Sequence, residues 1–254
     1  MKEKSNSTDR LRAFLVLAAT IGTVVFNGLA ATGFVNGVTP DVISAKYPTV
    51  VTPAGYAFTI WSLIYVGMIA FSIYQLLPSK LGSFRQIRTL YILSCLLNCS
   101  WIYFWHRDAI GICLVLIFGL LITLLLMIGI LPKETSAREA LMTRAPLGIY
   151  AGWVTAASLV NLAIFLLVAE VNLSAQAWNI LGSGLIIFAA MAALIVRVKL
   201  RNFLFPLAVA WAATAIAVRQ SGNTMIVVAA AIATIVCLLL SISFVMDLKS
   251  ATDE

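Results

Sequence analysis

Residues 88–131 read RTLYILSCLLNCSWIYFWHRDAIGICLVLIFGLLITLLLMIGIL. Two apolar runs stand here with only His106, Arg107 and Asp108 between them. A bilayer core of about 30 Å is crossed by roughly 20 apolar residues in a helix. Lipid supplies no partner for a backbone N–H or C=O, so each run must satisfy its own backbone as a helix. The stretch therefore predicts a tight helical hairpin inside a membrane.

The same pattern repeats outward in both directions. Apolar runs broken by charge, Pro, Gly or Asn lie near 12–35, 56–77, 88–106, 109–131, 146–169, 176–196, 202–218 and 223–246. The seventh is short and carries Pro206 near its start, where a missing N–H costs a helix little. Of the 254 residues 62% are hydrophobic and 11% charged, and mean hydropathy is +1.02. Soluble domains run nearer 45–50% apolar and about 25% charged. An ordinary soluble enzyme and a disordered chain are excluded, and four cysteines are too sparse for a disulfide-stapled secreted domain. The expected fold is all-α: a polytopic membrane bundle of about eight transmembrane helices.

Placement gives the +7 net charge its meaning. With the N-terminus taken as cytoplasmic, fourteen of the seventeen Lys and Arg fall on the inner side. Only Lys46, Arg107 and Arg219 fall outside. That asymmetry follows the positive-inside rule, and it predicts a multi-pass cell-membrane protein with both termini cytoplasmic. The partner implied by the basic excess is the lipid bilayer, not nucleic acid. Residues 1–11 and 247–254 are then cytoplasmic tails.

In this partition no Asp, Glu, Lys or Arg falls mid-span, and such residues are what usually mark ion pathways. No Lys lies between Lys199 and Lys249 to hold a retinal in a late span, and His106 is the single histidine. Cys95 and Cys99 share a helix face, while Cys113 and Cys237 are isolated, so the thiols read as small buried hydrophobes. No metal set, phosphate loop or nucleophile motif is present. No enzymatic chemistry, catalytic residue or bound metal is expected.

What the spans do carry is aromatic rings and amides. Phe58, Trp61 and Tyr65 follow i, i+3, i+7 spacing on one helix face. Asn98 and Trp101 are three apart, and Trp153, Ala157 and Asn161 repeat every four. An Asn in a span must point inward to find a partner. Two readings stay open for these amides: glue between helices, or the polar points of a pocket whose Trp and Tyr faces stack on a flat apolar ligand. Trp105 and Trp178 lie near outer span ends and read as interfacial residues. The loop near 36–55 is stiffened by Pro40, Pro48 and Pro53, with Tyr47 beside Pro48, and reads as a connector or as a lid over the outer mouth.

At these residues the chain resembles the TspO/MBR family of tryptophan-rich sensory and translocator proteins. The resemblance rests on KYPTVVTPAGYAFTIWSLIY (46–65), LNCSWIYF (97–104) and APLGIYAGWVTAASLVNL (145–162), three motifs in the family's order. It covers roughly 12–170, the family's five-helix unit, and leaves 171–246 as three added helices. The first loop departs from the family's double Pro and extra Trp, reading Pro53-Ala54-Gly55.

The resemblance implies a pocket for a tetrapyrrole or sterol-like ligand, a hydrophobic small molecule and not a resident cofactor. Carried over by motif, the binding residues are Phe58, Trp61, Tyr65, Asn98, Trp101, Tyr150, Trp153 and Asn161. Tyr47, Pro48 and Pro53 form the lid. The implied role is sensor or carrier; the alternative is a small-solute permease or channel without ion coupling. The family also implies a homodimer, although no small-xxx-small seam stands out to mark its face.

Overall fold

A computed structural model describes residues 7–132 and 136–243. The basic tail residues Lys2, Lys4 and Lys249, and Lys133, lie outside the described residues, as does the whole of 247–254.

The described chain is helical, without strands. Its helices are α1 (Ser7–Ala31), α2 (Pro40–Lys46), α3 (Ile60–Tyr74), α4 (Arg85–Trp105), α5 (Ile110–Ile130), α6 (Ala137–Met142), α7 (Arg144–Val168), α8 (Ala175–Leu200), α9 (Leu204–Arg219) and α10 (Thr224–Ile242). A 3-10 turn, Gly55–Thr59, leads into α3. Seven segments are long and apolar enough to cross a membrane: α1, the 3-10 turn with α3, α4, α5, α6 with α7, α8 and α10. The eighth expected run is α9, whose 16 residues rise about 24 Å. The protein is an all-α, multi-pass membrane protein.

Exposure confirms the solvent. On α10 the exposed large apolar side chains are Met225, Val228, Ile232, Ile235, Val236, Leu238, Leu239 and Ile242. Beyond Ile226 near its start, the same helix buries the small side chains of Ala229, Ala230, Ala233 and Cys237. Large residues outside and small ones inside reverse the soluble pattern, as expected where lipid is the solvent and helices approach through small side chains.

The helix ends follow local chemistry. Gly33, at φ +77°, closes α1, and the Phe34 N–H bonds back to the Leu29 carbonyl at 3.0 Å. The α4–α5 hairpin turns within the four residues 106–109, with Asp108 at φ +55° and Ala109 N–H on the Phe104 carbonyl. The loop that the prolines were expected to stiffen contains α2, with Pro40 as its first residue, the position where Pro fits a helix best. The helix expected from residue 56 instead opens with the 3-10 turn, so Phe58 does not continue the α-helical face of Trp61 and Tyr65.

The chain forms two compact units, residues 1–43 with 61–147, and residues 44–60 with 148–254. In the first, α4 packs on α5 and α1 on α4. Its floor is an ionic cluster. Arg85 grips Asp9 with Nε at 2.8 Å and Nη2 at 2.6 Å, a bidentate pair. Arg88, fully buried, lies 3.6 Å from Asp9 and donates to Gln75 Oε1 and the Leu81 carbonyl. Gln75 in turn donates to the Ala13 carbonyl. Arg88 was expected at the aqueous edge of its span; it is instead enclosed, because Asp9 and Gln75 supply the partners a buried guanidinium needs.

In the second unit α9 packs on α10 and α8, and α10 on α8. The seam between α7 and α9 depends on two glycines one turn apart. A Cβ on Gly148 would collide with the Asn202 side chain, and one on Gly152 with the Phe205 carbonyl. Asn202 Oδ1 meanwhile accepts from the Leu204 and Phe205 N–H groups, 3.1 Å each, and so caps α9. Gly148-Ile-Tyr-Ala-Gly152 is thus a small-xxx-small seam after all, used within one chain.

Candidate functional site

The aromatic set divides between the units. The first holds Trp61, Tyr65, Asn98 and Trp101; the second holds Phe58, Tyr150, Trp153 and Asn161, with Tyr47, Pro48 and Pro53.

On α3, Trp61 and Tyr65 stack, ring centroids 5.5 Å apart at 20°. One helical turn separates them, so the i, i+4 spacing alone brings the rings together. On α4, Trp101 stacks on Trp105 at 5.3 Å and 18°. Trp105 does not face the interface as its span-end position suggested. It is 2% exposed and donates its indole N–H to the Pro40 carbonyl at 3.1 Å. A span-end indole satisfied by protein has no need of headgroup water.

Asn98 is fully buried and accepts at 2.7 Å from Asn27 Nδ2, which also donates to the Thr23 carbonyl. An amide pair across α1 and α4 is the interhelical glue that lipid demands of a buried Asn. Asn27 was not foreseen as its partner. The signal was present: one Asn within an otherwise apolar run. Tyr91 joins the same interface, its hydroxyl 2.8 Å from Thr20 Oγ1 and 3.2 Å from the Met68 carbonyl.

In the second unit Phe58 meets Trp153 edge to face, centroids 5.9 Å apart at 77°. This geometry sets the positive ring edge on the negative face. Tyr150 and Trp153 are both buried on α7. Asn161, also buried, donates to the Ala157 carbonyl of its own helix at 2.9 Å.

The Pro-rich segment is held by α9. Ala54 N–H donates to the Ala215 carbonyl at 3.0 Å. Gln220 Nε2 donates to the carbonyls of Thr49 and Thr52 at 3.0 and 3.4 Å. Trp211 Nε1 donates to the Ala57 carbonyl at 3.0 Å, and its ring meets Tyr56 edge-on at 5.4 Å. Within the segment Thr52 Oγ1 accepts from the Thr49 N–H at 2.8 Å and donates to the Tyr47 carbonyl at 3.5 Å. Pro53 is buried and Pro48 exposed. The sequence alone gives neither Trp211 nor Gln220 a role, since nothing along the chain pairs positions 154 and 171 residues apart.

Among the described residues no group of three or more His, Cys, Asp or Glu could hold a metal ion. The four cysteines are free thiols.

A family model described as TSPO-like protein matches residues 13–244, a range that runs past residue 170 through α8, α9 and α10. No curated protein and no solved structure matches the chain. With nearly all of its helices inside that range, the chain belongs to the TSPO-like protein family.

Proposed function

We propose that this membrane protein binds a flat hydrophobic ligand, a tetrapyrrole or a sterol-like molecule, through its span aromatics, and acts as a sensor or carrier. The observation that carries the reading is the Phe58–Trp153 pair: the Pro-rich segment ends in a ring set against a buried indole of α7, in a chain of the TSPO-like family. A planar ligand gains dispersion and quadrupole contacts from such rings. In the second unit Phe58, Tyr150 and Trp153 supply the faces and Asn161 the polar point; in the first, Trp61, Tyr65 and Trp101 offer a separate set of faces, with Asn98 held by Asn27. The segment carrying Tyr47, Pro48 and Pro53 acts as the lid, moored to α9 by Gln220. The charge asymmetry supports a cell-membrane location with both termini cytoplasmic.

The test is co-purification. Cells expressing the chain and supplied with protoporphyrin are expected to yield protein with a Soret band near one equivalent, reduced by competing sterol if the two share a site. Apo protein under both supplements contradicts the proposal.

A further inference from the structure

A cavity of about 590 Å³ opens in the second unit, where the end of α9 meets the α7–α8 connection. It falls within the size range of small-molecule sites, roughly 300–1,000 Å³. Its walls include Val50, Leu167, Trp178, Asn179, Arg219 and Gln220. Pro48 apart, none of its lining belongs to the aromatic set.

Its chemistry is one-sided. Arg219 is the single formal charge in the lining and has no ion-pair partner among the described residues. No carboxylate lines the cavity. Asn179 Oδ1 already accepts from Asn223 Nδ2 at 2.7 Å, which leaves the Asn179 amino group to donate. Gln220 spends its amino group on Thr49 and Thr52 and holds that wall in place. The Trp178 indole adds a further N–H donor. Beside these donors stand the apolar side chains of Leu167 and Val50. A guanidinium with amide and indole donors recognises an anionic oxygen group. Apolar walls next to it accept hydrocarbon.

We infer that this cavity binds an anion-headed amphiphile, its phosphate or carboxylate on Arg219, Asn179 and Trp178 and its chain along Leu167 and Val50. The anionic group is shared chemistry between a bilayer lipid and a free phosphate, and the probes below separate the two sources. The cavity shares Pro48 and the neighbouring Thr49 and Val50 with the proposed lid but none of the ring set, and porphyrin binding is measured separately.

The test is native mass spectrometry of the purified full chain with dioleoylphosphatidylglycerol, dioleoylphosphatidylcholine or inorganic phosphate. Wild type is expected to retain phosphatidylglycerol about tenfold over phosphatidylcholine, about 1.4 kcal/mol of discrimination. Arg219→Gln is expected to abolish that preference, and Arg107→Gln, outside the cavity, to keep it. Leu167→Trp, which fills the apolar wall with the charge intact, is expected to lower retention of phosphatidylglycerol at least fivefold. It decides the matter should Arg219→Gln fail to fold. Equal retention of the two lipids by wild type overturns the inference. So does a preference surviving in Arg219→Gln, an equal loss in Arg107→Gln, or unchanged retention in Leu167→Trp. Displacement of the lipid by equimolar phosphate overturns the amphiphile in favour of a free anion.

Discussion

Asp9 shows how much one carboxylate can hold together in a membrane helix. It is 2% exposed and faces two arginines, Arg85 and Arg88. Removing one partner of a buried ion pair leaves an uncompensated charge, at a cost of about 3–5 kcal/mol. Asp9→Asn is therefore expected to lower the thermal midpoint of purified protein sharply; an unchanged midpoint contradicts the enclosed cluster. Lys80 makes a milder contribution. Its Nζ lies 2.7 Å from Glu139 Oε2, and that hydrogen bond raises the ammonium pKa above its ordinary value. The raised pKa means the stabilisation is fully present below the unfolded value, about 10.4, and is lost as pH rises through the higher folded one. Glu139→Gln is expected to cost less than about 1 kcal/mol at neutral pH. A stability difference that does not shrink at all as pH rises past the unfolded lysine value contradicts the pairing. These residues were only half legible in sequence. Asp9 and Arg88 read as aqueous-edge charges because the positive-inside rule assigns a side of the membrane, not a depth of burial. Trp105 was ambiguous for a related reason: a Trp at a span end suits either the lipid interface or an internal hydrogen bond, and the deciding acceptor, the Pro40 carbonyl, is 65 residues away.

At the scale of elements, seven of the eight expected helices were legible as spans because each presents a long apolar run; the eighth, α9, is shorter and largely buried. Even the short α9 kept its Pro at the tolerated start. What faced each helix was not legible. The Gly148–Gly152 seam of α7 has meaning only once Asn202 and Phe205 are seen pressed on it. Gly152→Ala is expected to destabilise by about 1–3 kcal/mol through forced overpacking against a backbone carbonyl. Gly129→Ala, with open space at its Cβ, is expected to be neutral or slightly stabilising. Equal effects in a paired thermal-unfolding measurement contradict the seam. The Pro-rich segment is likewise an element whose partner lay far off in sequence. If Gln220 moors it, Gln220→Ala is expected to speed backbone amide exchange at Val50–Thr52 in hydrogen-exchange mass spectrometry while leaving α4 and α5 unchanged.

At the scale of the molecule, the composition that excludes a soluble protein, the helices it builds and the family match over 13–244 agree. The aromatic motifs identified the family, but they could not foretell that the chain divides its ring set between two compact units. The proposed orientation predicts that Asn172→Cys, in the exposed α7–α8 connection, is labelled by an impermeant maleimide in intact cells; labelling only after lysis contradicts it. The ligand proposal meets its most direct test in a protoporphyrin titration of nanodisc-embedded protein, followed by quenching of Trp fluorescence. Wild type is expected to show saturable quenching, Trp153→Leu to bind about tenfold more weakly for the loss of its ring contacts, and Trp178→Leu to bind as wild type does. Absence of saturable quenching, or an equal loss in the two variants, would contradict the account.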